Sequence, residues 1–463
     1  MPNDIKFKTI PGSICAPIGF QVAAVFCGIK SLGTGKGSEK GAKLDLALIV
    51  SDIPAAVAGM FTTNRVAAAP VKVSAACAAR KYARAIVVNS GNANACTGEQ
   101  GMRDAKRMSV IVAAVYDRRN KWHRTLADAS HGLAARATTD RRYNKILPNE
   151  ILVCSTGRIG VPMPMRKVER GINKVTELLS RLPKNAAEVA EAIMTSDTKR
   201  KEIAIQFKIK GRQVRIGGIC KGAGMIQPKM ALAKHATMLG FITTDAAIAP
   251  DLLKVALAEA VGQSFNRITV DADMSTNDSV IALANGMAEN ALIKRGGRDF
   301  RTFQRGLTFV CLELAKMIVR DGEGVSRFVT VHIHRAKSIG DAERAARAVA
   351  SSSLVRTSWC GGDPNWGRIL CAVGYSGAAM EERHTDIGYS LPKGKRILYG
   401  FRCGVPTHVL FQKLTSITTA PEFDVHVDLH RGQAEFILYA SDLTEEYVTF
   451  NKGDVTDPSS LGG

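Results

Sequence analysis

The stretch KHATMLGFITTDAAI, residues 234–248, contains a small residue, a threonine and then a mainly apolar run. Apolar and β-branched residues in succession predict a buried strand that begins just after Thr237. Thr237 is therefore either one more β-branched residue that enters a strand or a hydroxyl nucleophile placed at its start. The local sequence leaves both interpretations open, so the rest of the chain has to decide between them.

Strand-like runs alternate with helical patterns on both sides of this stretch, which predicts an α/β or α+β fold. Three β-branched runs are predicted to be buried strands, over 44–52, 84–90 and 150–157. Helices are predicted over 99–117, 185–194, 251–265, 303–321 and 341–355. Two hairpins are predicted, over 203–219 around Lys210-Gly211 and over 423–442 around Arg431-Gly432.

The composition is that of a globular protein. The chain has 463 residues, 46% of them hydrophobic, which suffices for about two or three domains or one two-lobed domain. Its ten cysteines form no C-x-x-C pair, which indicates free thiols in a reducing compartment and argues against a zinc site. We find no run of the roughly 18 apolar residues that a membrane span needs and no signal-peptide pattern. We therefore expect a cytoplasmic protein.

The net charge of +21 is a possible signature of nucleic-acid binding. Part of it is concentrated in residues 117–145, where eight Lys and Arg residues stand against three Asp. A basic segment of this kind is more often a solvated insertion than an RNA-binding arm. We therefore expect no nucleic-acid partner.

Polar loops follow two of the predicted strands, in NSGNANACTG (89–98) and CSTG (154–157). Open α/β sheets bind ligands at strand ends of this kind, through polar side chains and backbone N–H groups. With TSDT (195–198) and KGAGM (221–225), these loops are predicted to form one polar site.

Two other patterns suggest metal binding at first sight. VDADMSTNDSV (270–280) resembles a calcium loop, but Thr276 and Ala282 replace the required glycine and glutamate. A polar turn that binds its own backbone is the better interpretation. His332 and His334 would share one strand face, but the sequence offers no third ligand nearby. We therefore expect no metal.

Ten sequence blocks, in order, make the chain similar to the ornithine acetyltransferase family of arginine biosynthesis, also called glutamate N-acetyltransferase. The resemblance runs from about Ile10 to Asn451. The blocks are AGMFTTNRVAAAPV, VVNSGNANACTG, VCSTGRIG, AIMTSDT, GGICKGAGMIQP, ATMLGFITTDA, SFNRITVDADMSTND, VRDGEGVSRFV, LVRTSWCGGDPNWGRIL and DLTEEYVTFN.

The resemblance implies an α/β fold with sheets layered between helices, an αββα-like arrangement. It also implies that the precursor cuts itself between Ala236 and Thr237. Residues 1–236 would form an α chain and residues 237–463 a β chain that begins with the nucleophile Thr237. The two fragments would stay intertwined and assemble as α2β2.

Such a cut makes chemical sense, because a threonine hydroxyl needs a base to become a nucleophile. Cleavage would free an α-amine on the same residue, with a pKa of roughly 7.7–8.0 against about 10.4 for lysine. A useful fraction of this amine is neutral at cytosolic pH and can act as general base. No histidine is then required.

The remaining roles are also implied by the resemblance. Thr156 and Gly157 would stabilise the tetrahedral oxyanion, through a hydroxyl and a backbone N–H. A lysine and neutral donors can hold a substrate carboxylate, and a glutamate can pair with the ornithine ammonium. The implied substrate-binding residues are Thr195, Lys221, Thr237, Glu323, Asn451 and Thr456.

The implied reaction is ping-pong. Thr237 takes the acetyl group from N2-acetylornithine and passes it to glutamate. Acetyl-CoA is a second possible donor, and no metal or bound cofactor is expected.

The sequence departs from the family pattern just before the nucleophile. Five extra residues, LAKHA (232–236), precede Thr237, and another alignment would place Leu232 at the nucleophile's position. Ala272 also stands where the family usually has glycine. If that turn needs a positive φ, alanine would disturb it.

Two alternatives remain at this point. One is a self-processing amidohydrolase or aminopeptidase of similar fold, which would give the acyl group to water. The other is an inactive basic binding protein, suggested by the charge of +21 and the altered processing site.

Overall fold

The computed structural model describes residues 7–30, 43–127, 145–231, 238–394 and 396–452, except for the side chains of residues 120–127. The strands are β1 (Lys8–Thr9), β2 (Phe20–Val25), β3 (Leu46–Thr62), β4 (Tyr82–Asn92), β5 (Ile151–Arg158), β6 (Lys201–Ile209), β7 (Arg212–Lys221), β8 (Met230–Ala231), β9 (Leu239–Thr244), β10 (Ile268–Thr269), β11 (Ser279–Ala284), β12 (Phe328–Ala336), β13 (Asp386–Ser390), β14 (Leu398–Arg402), β15 (Val405–Pro406), β16 (Glu422–Asp428) and β17 (Ala434–Ser441). The helices are α1 (Ala69–Ala78), α2 (Gly98–Ala127), α3 (Met165–Glu177), α4 (Pro183–Ala192), α5 (Pro250–Gly262), α6 (Arg298–Arg320), α7 (Ile339–Ser351), α8 (Ser353–Cys360), α9 (Trp366–Gly374), α10 (Phe411–Thr418) and α11 (Glu445–Asn451).

A ten-stranded sheet forms the larger part of the fold. Its strands follow the order β1-β6-β7-β9-β11-β3-β4-β5, and β2 and β8 also pair with β3. The long strand β3 joins two halves of this sheet, since β2 and β4 flank its first part and β11 pairs with its second part. The register shifts between Val50 and Ala55, where one half gives way to the other.

The two halves pack face to face. Ile49 and Val57 of β3 belong to a cluster that also contains side chains of β4, β5, β9 and β11. Val50 and Ala58 point to the opposite faces, where α2 and α3 cover one half and α5 and α6 cover the other. The predicted arrangement of two β-layers between helical layers is therefore confirmed.

Local sequence signals explain where several helices begin. α5 starts with Pro250, whose missing N–H costs nothing at a first helical position. α7 is capped by Ser338, whose hydroxyl accepts a hydrogen bond from the Asp341 N–H. α2 continues through Ala127 into the basic segment 117–145, most of which lies outside the described residues.

A seven-stranded sheet forms the second part, in the order β10-β17-β12-β16-β13-β14-β15. Helices α7 to α10 pack with Val331, Ile333 and Val425 on one face of this sheet. The opposite face carries polar residues of β12, because successive side chains of a strand alternate between the two faces.

The two predicted hairpins have different outcomes. The first is confirmed, since β6 and β7 are antiparallel neighbours joined at Lys210-Gly211. The second prediction, over 423–442, is wrong, because β12 lies between β16 and β17 and pairs with both. The turn residues Arg431 and Gly432 donate their N–H groups to the Arg335 carbonyl at the end of β12. The chain therefore does turn at Arg431-Gly432, but the two strands that flank this turn, β16 and β17, do not pair with each other.

Two further observations bear on the sequence-based expectations. All ten cysteines lie within the described residues and are free thiols, as predicted. In the part of the chain that the structure describes, no helix combines the length and apolar character needed to cross a membrane.

Candidate active site

The ends of the parallel strands β4 and β5 lie side by side, with Gly91 in register with Gly157. Gly157 has a φ of +127°, and a Cβ added there would lie 2.4 Å from the Gly91 carbonyl carbon. Only glycine fits this close approach. The preceding Thr156 is 2% exposed, so its hydroxyl is held away from bulk water.

Lys221, at the end of β7, connects two of the predicted polar motifs. Its ammonium donates to the Thr195 hydroxyl at 2.7 Å and to the Thr156 hydroxyl at 3.3 Å. Burial lowers the pKa of Lys221, although the nearby Asp197 carboxylate acts in the opposite direction. The structure thus places two predicted site residues, Thr156 and Thr195, around a third, the buried Lys221.

A buried ion network supports this cation. Lys201 Nζ lies 2.6 Å from Asp197 Oδ1 and 2.5 Å from Asp321 Oδ2. Asp197 also accepts hydrogen bonds from the backbone N–H groups of Thr195 and Gly222. Burial alone would raise the pKa of Asp197, but the ammonium groups of Lys201 and Lys221 outweigh burial and hold that pKa well below its usual range.

Sequence reasoning did not single out any member of this network. Asp197 lies inside the quoted TSDT motif and Asp321 begins the DGEG segment. The only sign of this network in the sequence was therefore the presence of an aspartate in each of these two motifs.

Glu323 and Asn451 meet beside the KGAGM loop. Asn451 Nδ2 donates to Glu323 Oε2 at 3.0 Å, and the Glu323 N–H donates to the Ala223 carbonyl at 2.9 Å. The Glu323 carboxylate lies over Gly224, where an added Cβ would come within 2.4 Å of Oε2. This carboxylate is therefore fixed beside the loop that begins with Lys221.

The start of β9 lies between the end of β7 and the start of β11. The Met238 carbonyl accepts a hydrogen bond from the Ser279 N–H at 2.6 Å, and Leu239 is in register with both Lys221 and Ser279. An added Cβ on Gly222 would lie 3.6 Å from Met238 Cβ. The predicted Ala236 and Thr237 and the extra residues 232–236 lie outside the described residues, and so does Thr456.

Residues 270–280, the segment first compared with a calcium loop, form hydrogen bonds to several of the loops at this site. Asn277 Nδ2 donates to the Ala93 carbonyl at 2.6 Å and the Ser155 carbonyl at 2.8 Å, which joins this segment to both strand-end loops. Asp271 accepts hydrogen bonds from the N–H groups of Met225, the last KGAGM residue, of the following Ile226 and of Asp273, and burial raises its pKa to about 6. The segment is therefore the polar turn that was predicted.

Ala272 in this turn has a φ of +67°. This is the left-handed region, which costs an alanine roughly 1–2 kcal/mol. Alanine therefore replaces the family's usual glycine at a position that does need a positive φ.

Lys30 is a second, partly buried cation that sequence reasoning missed. Its ammonium donates to the Leu44 carbonyl at 2.9 Å and the Ala192 carbonyl at 3.2 Å. Burial lowers its pKa to about 8, against the opposing effect of Asp45. Lys30 also packs against the β4 end, since an added Cβ on Gly91 would lie 3.0 Å from its backbone nitrogen.

A buried ammonium held by two hydroxyls, beside the start of a central strand, suits an enzyme that handles an acyl group and a carboxylate. The fold and this site therefore define an α/β enzyme with a preorganised cationic centre. The chain belongs to the ArgJ family, whose profile matches residues 21–454. The family predicted from the ten sequence blocks is confirmed.

Known relatives are similar over nearly their whole length. The arginine biosynthesis bifunctional protein ArgJ of Symbiobacterium thermophilum is 42% identical over 444 residues, which cover 96% of this chain and 98% of that protein. The glutamate N-acetyltransferase of Methanocaldococcus jannaschii is 41% identical over 450 residues, which cover 96% of this chain and 98% of that protein. The crystal structure of ornithine acetyltransferase from Mycobacterium tuberculosis in complex with ornithine has 33% identity and a TM-score of 0.39, and the match covers 49% of this chain and 100% of that one.

Proposed function

We propose that this chain transfers the acetyl group of N2-acetylornithine to glutamate through an acetyl-threonine intermediate on Thr237. The observation that carries the proposal is the Lys221 ammonium, held between the Thr156 and Thr195 hydroxyls and in register with the start of β9. A carboxylate-bearing substrate bound there has its acyl group next to a strand-end hydroxyl and backbone donors.

The proposed nucleophile becomes active after a cut between Ala236 and Thr237. The new α-amine then accepts the hydroxyl proton, and the hydroxyl attacks the acetyl carbonyl. Ornithine leaves, and glutamate attacks the resulting ester to give N-acetylglutamate. The chemistry requires no bound cofactor, and acetyl-CoA is an additional donor that the same intermediate accommodates.

The fragments 1–236 and 237–463 would remain together after the cut. β9 and β11 come from the second fragment, yet they pair with β7 and β3 of the first fragment in the middle of the ten-stranded sheet. Separating them would expose buried strands on both sides. The proposed assembly is an α2β2 heterotetramer located in the cytoplasm.

Each charged group of the substrates has a proposed partner. Lys221, with Thr195, holds the α-carboxylate, which both amino acids share. Glu323, fixed by Asn451, pairs with the side-chain ammonium that only the ornithine moiety carries. Thr456 is proposed to complete this binding site.

A two-substrate assay tests the proposed reaction. The purified protein is incubated with N2-acetylornithine, with and without glutamate, and ornithine, N-acetylglutamate and acetate are quantified. We expect ornithine and N-acetylglutamate in equal amounts, with initial-rate lines that are parallel for ping-pong kinetics. Release of free acetate at the same rate without glutamate would instead identify a hydrolase.

Glu323→Gln is expected to raise KM for N2-acetylornithine by about 10-fold or more, because a charge-assisted hydrogen bond contributes roughly 1.5–3 kcal/mol. KM for glutamate should change little, since glutamate has no side-chain ammonium. Steady-state kinetics with each substrate varied separately measure both constants. Glu381→Gln is the matched control and should leave both KM values unchanged, because it changes a glutamate that precedes β13 and pairs with Arg383 and Arg431. Equal effects on the two substrates would contradict the assignment.

Thr156→Val is expected to lower kcat by about 100-fold, because it removes one donor to the developing oxyanion while keeping the side-chain shape. KM should change much less, since the donor acts mainly in the transition state. Thr357→Val serves as control, at an exposed threonine that donates to carbonyls of its own helix and accepts a long, 3.4 Å hydrogen bond from Arg368 Nη1. A variant with normal kcat would exclude the Thr156 hydroxyl from this role.

A further inference from the structure

Three histidines meet on the polar face of the second sheet. His332 and His334 are two residues apart on β12, and so they point to the same face. His426 on the neighbouring strand β16 is in register with His332. The sequence offered no third partner for the β12 pair, because His426 lies 92 residues from His334 and comes close only through strand pairing.

The distances suit a shared metal ion. One ligand nitrogen from each ring lies within 4.8 Å of the other two, and His334 Nε2 is 3.1 Å from His426 Nδ1. Two nitrogens bound to one tetrahedral zinc, each at about 2.0–2.1 Å from it, are separated by about 3.3 Å. One pair is therefore already at chelating distance.

His332 supplies an independent sign that a ligand is missing. Its Nε2 is buried and has no hydrogen-bond partner among the described residues, although buried polar atoms are normally satisfied. The nearest carboxylate oxygen, Asp424 Oδ2, is 3.8 Å away. A metal ion between these groups would satisfy His332 Nε2 and gain Asp424 as a fourth ligand.

The outer side of the His426 ring has the kind of partner that metal-bound imidazoles usually have, since its Nε2 lies 3.0 Å from the Ser390 hydroxyl. On the outer side of His334, the nearest carboxylate oxygen is Glu435 Oε1, 3.8 Å from Nδ1 and beyond hydrogen-bond distance. With these nitrogens protonated, His426 Nδ1 and His334 Nε2 are left as lone-pair donors. These are the two atoms that face each other.

Metal ions bind the lone pairs of neutral imidazole rings. The three rings are stacked, with interplanar angles of 3–15°, so binding requires them to turn about the Cβ–Cγ bonds until their lone pairs converge.

We propose that His332, His334 and His426, with Asp424 as fourth ligand, form a binding site for a divalent transition-metal ion of the zinc class. Three imidazoles and one carboxylate are a typical ligand set for such ions, whereas calcium and magnesium prefer oxygen ligands. The ion would link β12 to β16 on the second sheet, whereas the acetyl-transfer site belongs mainly to the first sheet. Its role would therefore be to stabilise the second sheet.

Isothermal titration with zinc chloride, on chelator-treated full-length protein, tests the proposal without any assay of acetyl transfer. We expect one zinc ion per chain with micromolar or tighter affinity, and a rise in Tm of about 2 °C or more in excess zinc. A cobalt(II) spectrum should show tetrahedral nitrogen and oxygen ligation without the charge-transfer band of a thiolate.

Two ligand variants and two comparison variants locate the ion. His332→Gln and His426→Gln should each abolish this binding, and either variant suffices if the other fails to fold. Ser390→Ala, which removes only an outer partner, should weaken binding about 10-fold. His408→Gln, at an exposed histidine, should bind zinc like the unmodified chain. Absence of binding, or unchanged affinity in a folded His332→Gln protein, would overturn the proposal.

Discussion

Thr237→Ala is expected to leave the chain uncut and to reduce acetyl transfer by about 1,000-fold or more. The substitution removes the hydroxyl that is proposed both to attack the Ala236–Thr237 bond and to carry the acetyl group. A denaturing gel with mass spectrometry should show one chain of 49.7 kDa. The unmodified protein should show two fragments, the second beginning at Thr237.

Two comparison variants make this result specific. Thr237→Ser retains a hydroxyl and should still be cut, though more slowly. Deletion of residues 232–236 restores the spacing of the family pattern, and cutting at the same threonine would show that the extra residues are not needed. A Thr237→Ala protein that is processed and active would mean that another residue is the nucleophile.

Asp197→Ala is expected to lower the free energy of unfolding by about 3–5 kcal/mol, because breaking a buried ion network leaves uncompensated charge behind. The Asp197 side chain is fully buried, and the Lys201 and Lys221 side chains are 1% and 6% exposed. Denaturant unfolding measures the change. Activity should also fall, since Lys221 would lose the carboxylate that fixes its position.

Asp251→Ala is the matched control. Asp251 pairs with Lys81 at 3.1 Å, but both side chains are more than half exposed, so its removal should cost less than about 1 kcal/mol. Equal losses in the two variants would contradict the importance of the buried network.

The stability difference between Asp197→Ala and the unmodified chain should depend on pH. The pKa of Asp197 is depressed in the folded state, so the stabilisation is fully present above the unfolded pKa of about 3.9. It is lost as the pH falls towards the folded pKa. The free energies of unfolding of the two proteins should therefore become similar only below about pH 4.

The ten sequence blocks indicated the family correctly, and the hydrophobic patterns located the main elements. The predicted strand over 44–52 is real but forms only the first part of β3, which continues to Thr62. The predicted helix over 303–321 begins five residues earlier, at Arg298. Hydrophobic patterns and turn residues indicate local conformation. They locate the ends of helices and strands less accurately, because these ends also depend on capping and packing.

The polar motifs named residues that the structure brings together, but they did not show how those residues are joined. Thr156, Thr195 and Lys221 came from three separate motifs, and the structure joins them by hydrogen bonds. Their charge environment depends on Asp197 and Lys201, whose ionic states follow from burial and distance. Neither the burial of these groups nor the distance between them can be predicted from any one segment of the sequence.

The sequence by itself determined the family, the helical and strand segments and the residues from which an acyl-transfer site could be made. Tertiary structure alone decided that β12 separates β16 from β17, that two aspartates surround Lys201, and that His426 faces His332 and His334. The physical reason is that conformational preference is a local property of the chain. Strand pairing and the low-dielectric surroundings of buried charges, by contrast, arise only when distant segments pack together.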